Sequence, residues 1–286
     1  MLLNMKELLK EANENQFAVP AFNISDYSMF NGVMDISEET KSPVIIEIHP
    51  DELSHMSVEA VCGIRERALK SKIPVCIHLD HGSTMSQILT AIQCGFTSVM
   101  IDGSDLPFDE NIKICKEVVA LAHSVGVSVE GELGTIGTAD VYGEAGADVI
   151  VYTDPDNAAV FAEKTGVDAL AIAIGTSHGI YPKDVKPKLE LELLSRISEK
   201  VKVPLVLHGG SNNSDVEIAK AVDLGVSKIN ISSDIKAAYY EKMREVLKNP
   251  EIREPNAIQP PCEEALKKVV LHKIRLFKAE GKSILY

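Results

Sequence analysis

Long apolar runs are missing from this sequence. No window of its 286 residues approaches the roughly 18 consecutive apolar residues of a membrane-spanning helix, so no membrane partner is expected. Positive charge is also scarce: 29 Lys and Arg stand against 42 Asp and Glu, a formal net charge of −13. Nucleic-acid surfaces need clustered Lys and Arg to neutralise phosphates, so no nucleic-acid partner is expected either. A small anionic ligand stays allowed, because backbone N–H groups can build a phosphate site whatever the net charge. Disulfide signals are absent. Cys62, Cys76, Cys94, Cys115 and Cys262 are odd in number, scattered and never in Cys-x-x-Cys spacing. That usage fits a reduced compartment and predicts a cytoplasmic protein. The first residues, Met1 to Glu7, carry an acid early and do not read as a signal peptide. There is no low-complexity tract and no alignable internal repeat. No Gly-x-Gly-x-x-Gly follows the first predicted strand, which leaves a dinucleotide-binding sheet as the second choice of fold.

What is present is ordinary globular composition, 45% hydrophobic and 25% charged, arranged in an unusual pattern of endings. Val75-Cys76-Ile77-His78-Leu79-Asp80-His81-Gly82 is an apolar run that stops at a carboxylate and an imidazole. Runs at 98–101, 127–131, 169–174, 204–207 and 228–229 stop likewise at Asp102, Glu132, the segment Gly175 to Gly179, His208 and Asn230. An earlier run, 17–23, ends on Asn23, and residues 44–48 complete eight predicted strands. Helices are predicted over 5–15, 27–41, 58–71, 83–94, 109–124, 156–165, 189–200, 214–224, 233–247 and 263–280, with Ser83 capping the fourth. Long loops are predicted over 134–154, 175–188 and 249–261. Strands alternating with helices call for a parallel sheet. A single (β/α)₈ TIM-barrel domain over 1–286, with a C-terminal helical extension, fits best, because the polar endings then gather at the carboxyl ends of the strands, where barrels keep their active sites.

On one rim, His81, His178 and His208 could meet as three imidazoles with an open position, the arrangement of a catalytic zinc site. Each histidine could instead cap a strand or bind a loop, as expected of His55, His123 and His272. Asp102 and Glu132 end neighbouring strands and could bind a second cation, orient the first ligands from behind, or cap helices. Strand alternation points Asp80 to the other side of its strand from His81, where a carboxyl beside a bound substrate can exchange a proton with a hydroxyl. Gly209-Gly210-Ser211 and Asn230-Ile231-Ser232-Ser233 follow the last two strands and precede helices, the place where barrels commonly hold phosphate. A Schiff-base lysine would have to leave a strand end, and Lys228 enters its strand instead.

With these motifs side by side, the chain resembles the class II, zinc-dependent ketose-bisphosphate aldolases, which act on fructose 1,6-bisphosphate or tagatose 1,6-bisphosphate. The match is carried by Val19-Pro20-Ala21-Phe22-Asn23, His78 to Gly82, Met100 to Ser104, Glu130 to Gly134, Gly175 to Gly179, Leu207 to Ser211 and Lys228-Ile229-Asn230. The resemblance implies zinc on His81, His178 and His208, Asp80 as proton donor and acceptor, and a second divalent cation at Asp102 and Glu132. It further implies dihydroxyacetone phosphate held by Gly179, Gly209, Gly210, Ser211, Asn230, Ser232 and Ser233, with Asn23 also facing the substrate. A monovalent cation, Na⁺ or K⁺, and a homodimer or homotetramer are common in that family. Asn230 could hydrogen-bond the developing oxyanion, and the glycine-spaced loop 134–154 is the expected lid.

Two departures stand out. Where the family has Gly-Gly-x-Glu, this chain has Gly137-Thr138-Ala139-Asp140, making Asp140 the expected lid acid–base group, with Glu144 the substitute. Where the family has Asp-Pro-Arg for the distal phosphate, this chain has Glu254-Pro255-Asn256, with Arg253 nearby. The expected aldehyde is therefore unphosphorylated or otherwise altered. A metal-dependent sugar-phosphate hydrolase or isomerase on the same barrel is the rival expectation.

Overall fold

A computed structural model describes residues 1–138, 150–181 and 187–286 of the chain. Eight parallel strands close into a barrel in sequential order: β1 (Val19–Asn23), β2 (Val44–Ile48), β3 (Val75–Gly82), β4 (Ser98–Ile101), β5 (Ser128–Leu133), β6 (Ala169–Ile172), β7 (Leu205–Leu207) and β8 (Val226–Ile231). Closure is made by β1 on β8, with Val19 opposite Lys228 and Phe22 opposite Ile231. Nearly every strand residue is buried, as expected where helices cover the outer face of a parallel sheet and side chains fill the interior.

Before β1 comes α1 (Met5–Glu14), started by a reciprocal Asn4–Glu7 capping box and burying Met5, Leu8, Leu9 and Ala12. It touches β1, β3, β5, β6 and β8 and so closes the amino-terminal end of the barrel. The outer layer is α2 (Tyr27–Glu39), α3 (Pro50–Met56), α4 (Val58–Lys70), α5 (Met85–Cys94), α6 (Phe108–His123), α7 (Pro155–Thr165), α8 (Leu191–Lys200), α9 (Asp215–Asp223) and α10 (Ser233–Val246). The last α-helix is α11 (Pro255–Leu276), which packs on α2 and α10 and is followed by a 3-10 turn over Lys282–Leu285.

Three details differ from the sequence reading. The cap of α5 is Thr84, whose Oγ1 accepts from the Gln87 N–H, and Ser83 lies one residue outside. Helix α3 was not predicted, being barely two turns long. Helix α11 begins at Pro255, inside the predicted 249–261 loop, with Pro260 and Pro261 within it. Pro255 suits a first helical position, whereas the two inner prolines each remove a helix hydrogen bond. Packing of Cys262, Leu266, Val270 and Ile274 into the core offsets that loss.

Candidate active site

Regular alternation would put Asp80 and His81 on opposite faces of β3, and the structure departs from it. Between Leu79, opposite Val99, and Gly82, opposite Ile101, β3 advances three residues while β4 advances two. This bulge is absorbed at His81, whose φ of +46° lies in the left-handed region. Asp80 Oδ1 consequently comes within 4.0 Å of His81 Nε2, so both side chains face the mouth. Gly82 makes the close approach possible: a Cβ there would lie 2.7 Å from the Met100 carbonyl oxygen.

His178 was expected at the end of the sixth strand, but β6 stops at Ile172. Residues Ser177–His178 return to the rim by pairing in parallel with Gly137–Thr138, a two-stranded sheet outside the barrel. The Ser177 N–H donates to the Tyr181 hydroxyl at 2.6 Å, which anchors the turn. His208 directly follows β7 and is fully buried. The three rings gather, with centroids 4.7 Å apart for His81 and His208, 5.1 Å for His81 and His178, and 6.2 Å for His178 and His208. One nitrogen of each lies within 4.8 Å of the others.

These residues fit a divalent ion on two observations. His81 Nδ1 is 2.8 Å from Asp102 Oδ2, and His208 Nε2 is 2.8 Å from Glu130 Oε1, so carboxylates occupy the outer nitrogens and turn His81 Nε2 and His208 Nδ1 toward each other. Those inner nitrogens are 3.1 Å apart, close to the roughly 3.3 Å between two nitrogens bound about 2.0–2.1 Å from one tetrahedral ion. The field agrees with the geometry. Burial works against a charge on His81, yet Asp80, Asp102 and Glu132 outweigh it and hold its pKa well above the usual value. A site that favours an imidazolium so strongly also favours a cation.

Asp102 meets His81 through Oδ2, while its Oδ1 accepts from the Ser104 N–H at 3.0 Å and hydroxyl at 2.7 Å. Glu132 Oε2 is buried without a hydrogen bond, 3.5 Å from His208 Nδ1. Burial first, and then the neighbouring Asp102, raise the Glu132 pKa well above the carboxylate range. His81, Asp102 and Glu132 also converge closely enough to share an ion.

Asp80 is fully buried and accepts from Asn23 Nδ2 at 2.8 Å and Asn230 Nδ2 at 3.2 Å. Burial favours its neutral form, but the positive field of His81, His208 and Lys228 prevails and keeps it well below the usual range. The Oδ1 atoms of Asn23 and Asn230 are buried with no protein partner. Beside them a small cleft is lined by His178, Gly179, Gly209, Ser211, Asn230, Ser232 and Ser233, which unites the predicted phosphate residues except Gly210. Gly210 packs behind it, and its replacement by Ala would put Cβ 2.5 Å from Ile229 Cγ2 and 2.8 Å from the Asn230 carbonyl oxygen. Gly210→Ala is expected to destabilise the fold by about 1–3 kcal/mol in denaturant melts, and unchanged melts would show that the loop gives way. A roomier cleft lies at the opposite end of the barrel, lined by Asn13, Gln16, Ser195 and Ser227, so chemistry and not size marks the site. Asp140 and Glu144 lie outside the described residues. Asn256 and Arg253 are exposed at the start of α11.

Two features escaped the sequence reading. His49 directly follows β2, its ring 6.3 Å from that of His81, and its Nδ1 accepts from the Asp51 N–H at 3.2 Å. Its position just past an apolar run was the same signal that marked His208. Inside the barrel, beneath the rim, Lys228 Nζ lies 2.7 Å from Glu47 Oε1 and 2.8 Å from Glu130 Oε2, all three fully buried. Glu130 thus bridges Lys228 to His208, and against the pull of burial the Lys228 charge and the His208 hydrogen bond hold its pKa down to about 2. The carboxylates raise the Lys228 pKa further, which makes it a poor amine nucleophile.

Residues 3–282 match the family described as fructose-bisphosphate aldolase class-II. The chain is 40% identical over 290 residues to a fructose-bisphosphate aldolase of Geobacillus stearothermophilus, covering 99% of each. It is 40% identical over 288 residues to one of Staphylococcus aureus strain Mu50, again covering 99% of each. Its fold is similar to the crystal structure of the YdjI aldolase from Escherichia coli K12, with a TM-score of 0.88 and 37% identity over 99% of this chain and 100% of that one.

Proposed function

Because the chain belongs to the class II fructose-bisphosphate aldolase family, a family of lyases, we propose that it reversibly cleaves a ketose 1-phosphate or 1,6-bisphosphate to dihydroxyacetone phosphate and an aldehyde. The observation that carries this reading is the meeting of three imidazole nitrogens beside a buried, ionised carboxylate held by two amides. A divalent ion, zinc by its three-nitrogen donor set, would be held by His81, His178 and His208 and would supply a Lewis acid for the ketone oxygen.

In the cleavage direction Asp80 takes the proton of the hydroxyl on the carbon beyond the breaking bond. That carbon becomes the aldehyde, and the electron pair of the broken carbon–carbon bond passes to the ketone as an enediolate. Asn23 and Asn230 fix both Asp80 oxygens through their Nδ2 groups, which leaves Oδ1 of each to accept from substrate hydroxyls. Return of a proton to the enediolate carbon is assigned to Asp140, with Glu144 the substitute. The phosphate lies in the cleft between Gly179, Gly209, Ser211, Ser232 and Ser233, against the first turn of α10. Asp102 and Glu132 take a second divalent cation, and Na⁺ or K⁺ accompanies the phosphate. With Asn256 in place of an arginine, the preferred substrate among these ketose phosphates is one whose aldehyde half is unphosphorylated or otherwise altered at its distal end. The protein works as a cytoplasmic homodimer or homotetramer. Its five cysteines, all free thiols, support the reduced setting.

A retro-aldol assay over ketose 1-phosphates and 1,6-bisphosphates, coupled to detection of dihydroxyacetone phosphate, tests the reading. Chelation is expected to abolish cleavage, zinc to restore it, and borohydride with substrate to leave the protein unlabelled. Release of inorganic phosphate without carbon–carbon cleavage would replace the aldolase reading by a hydrolase, and preference for a bisphosphate would refute the unphosphorylated aldehyde.

A further inference from the structure

Lys273 lies in the last turn of α11 and is buried, its side chain 6% exposed. Buried lysines are rare unless paired, and its Nζ lies 2.7 Å from Asp234 Oδ2, at the start of α10. Asp234 is in turn the clamp of the loop after β7. Its two oxygens lie 3.1 and 3.2 Å from the Asn212 N–H, and its own N–H donates to Ser211 Oγ at 3.2 Å. Asn212 has a φ of +56°, a conformation that the loop must be held in. Asn213 closes the turn from within, its Nδ2 donating to the Gly209 and Ser211 carbonyl oxygens at 2.6 and 2.9 Å.

From these contacts we infer that Lys273 is a positioning residue for phosphate recognition: through Asp234 it latches the loop of Gly209 to Asn213 to the terminal helix. It does two things. Its charge offsets that of Asp234, which otherwise stands next to Ser233 and the place of an incoming phosphate dianion. Its fixed position on α11 also holds the carboxylate where it can accept from Asn212. The inference rests on the reading of the cleft as a phosphate site.

The test uses the metal-loaded full chain as wild type, Lys273→Met, Lys273→Arg and the double variant Lys273→Met with Asp234→Asn. Inorganic phosphate is the probe, as a competitor of ketose phosphate cleavage, and hydrogen exchange is followed at the Asn212 amide. Lys273→Met is expected to weaken phosphate inhibition about tenfold and raise KM similarly, with kcat changed less than about threefold. It is also expected to speed exchange at Asn212 about tenfold. Lys273→Arg should retain most of both properties. The double variant should recover phosphate affinity, because the uncompensated carboxylate is gone. Equal impairment of Lys273→Met and the double variant would reduce Lys273 to a packing role and overturn the inference. An Asn212 amide indifferent to Lys273→Met overturns the latch. A wild-type protein that ignores inorganic phosphate overturns the cleft reading, and with it the phosphate half of the inference, while the exchange data still decide the latch.

Discussion

Asp80→Asn is expected to lower kcat for carbon–carbon cleavage about a thousandfold, within the range a positioned general base contributes. The reason is specific to the pocket. Asp80 accepts from the Asn23 and Asn230 amides at once, and it is held ionised by His81, His208 and Lys228 against the pull of burial. An asparagine offers no base and only one acceptor oxygen, so one of the two flanking amides must also turn. Metal content should stay at the wild-type level, since none of the three imidazoles is altered. A second measurement separates the roles of the two acidic groups. If Asp80 serves the hydroxyl and not the carbon-bound proton, the variant should still exchange a proton of dihydroxyacetone phosphate with deuterated solvent, at a rate within about tenfold of wild type. Cleavage within a factor of ten of wild type would remove Asp80 from the chemistry, and parallel loss of exchange and cleavage would reassign it to the enediolate carbon.

Lys228→Met is expected to have the largest effect on stability. Removing one member of a buried, charged cluster leaves the others without a counter-ion, and such losses typically cost about 3–5 kcal/mol. Here Glu47 and Glu130 would both lose the ammonium that sits 2.7 and 2.8 Å away. The metal-free protein should melt roughly ten degrees lower. A functional consequence follows through Glu130, which holds the outer nitrogen of His208 and thereby points Nδ1 at His81. Zinc affinity of Lys228→Met should therefore fall about 10- to 100-fold, the usual cost of losing the group that orients a ligand. Lys228→Arg keeps the charge but needs more room, and should lose less affinity than Met. A Lys228→Met protein that melts and binds zinc like the wild type would show that the carboxylates find other partners or take up protons at little cost.

The residues that escaped the sequence reading share a cause with those it placed imperfectly. Eight apolar runs alternating with helical periodicity specify strands and helices locally, because side-chain period and capping act over a few residues. The rim residues were legible for the same reason, each lying at or within a few residues of the end of an apolar run. His49 met that criterion too and was overlooked. Lys228, Glu47 and Glu130 were not legible as a group. Each is a titratable side chain in a strand, and only closure of the barrel brings β2, β5 and β8 to one axis, where Lys228 meets Glu47 and Glu130 at once.

The sequence by itself determined the alternation of elements, the closed barrel it calls for, and the inventory of imidazoles, carboxylates and glycines at the strand ends. The tertiary structure decided which of them face one another. An extra residue in β3, taken up at His81 in a left-handed conformation, turns Asp80 and His81 to the same side. A two-residue pairing beyond the barrel, not the end of β6, delivers His178. Both depend on contacts between segments distant in the chain, and local periodicity carries no information about register between such segments.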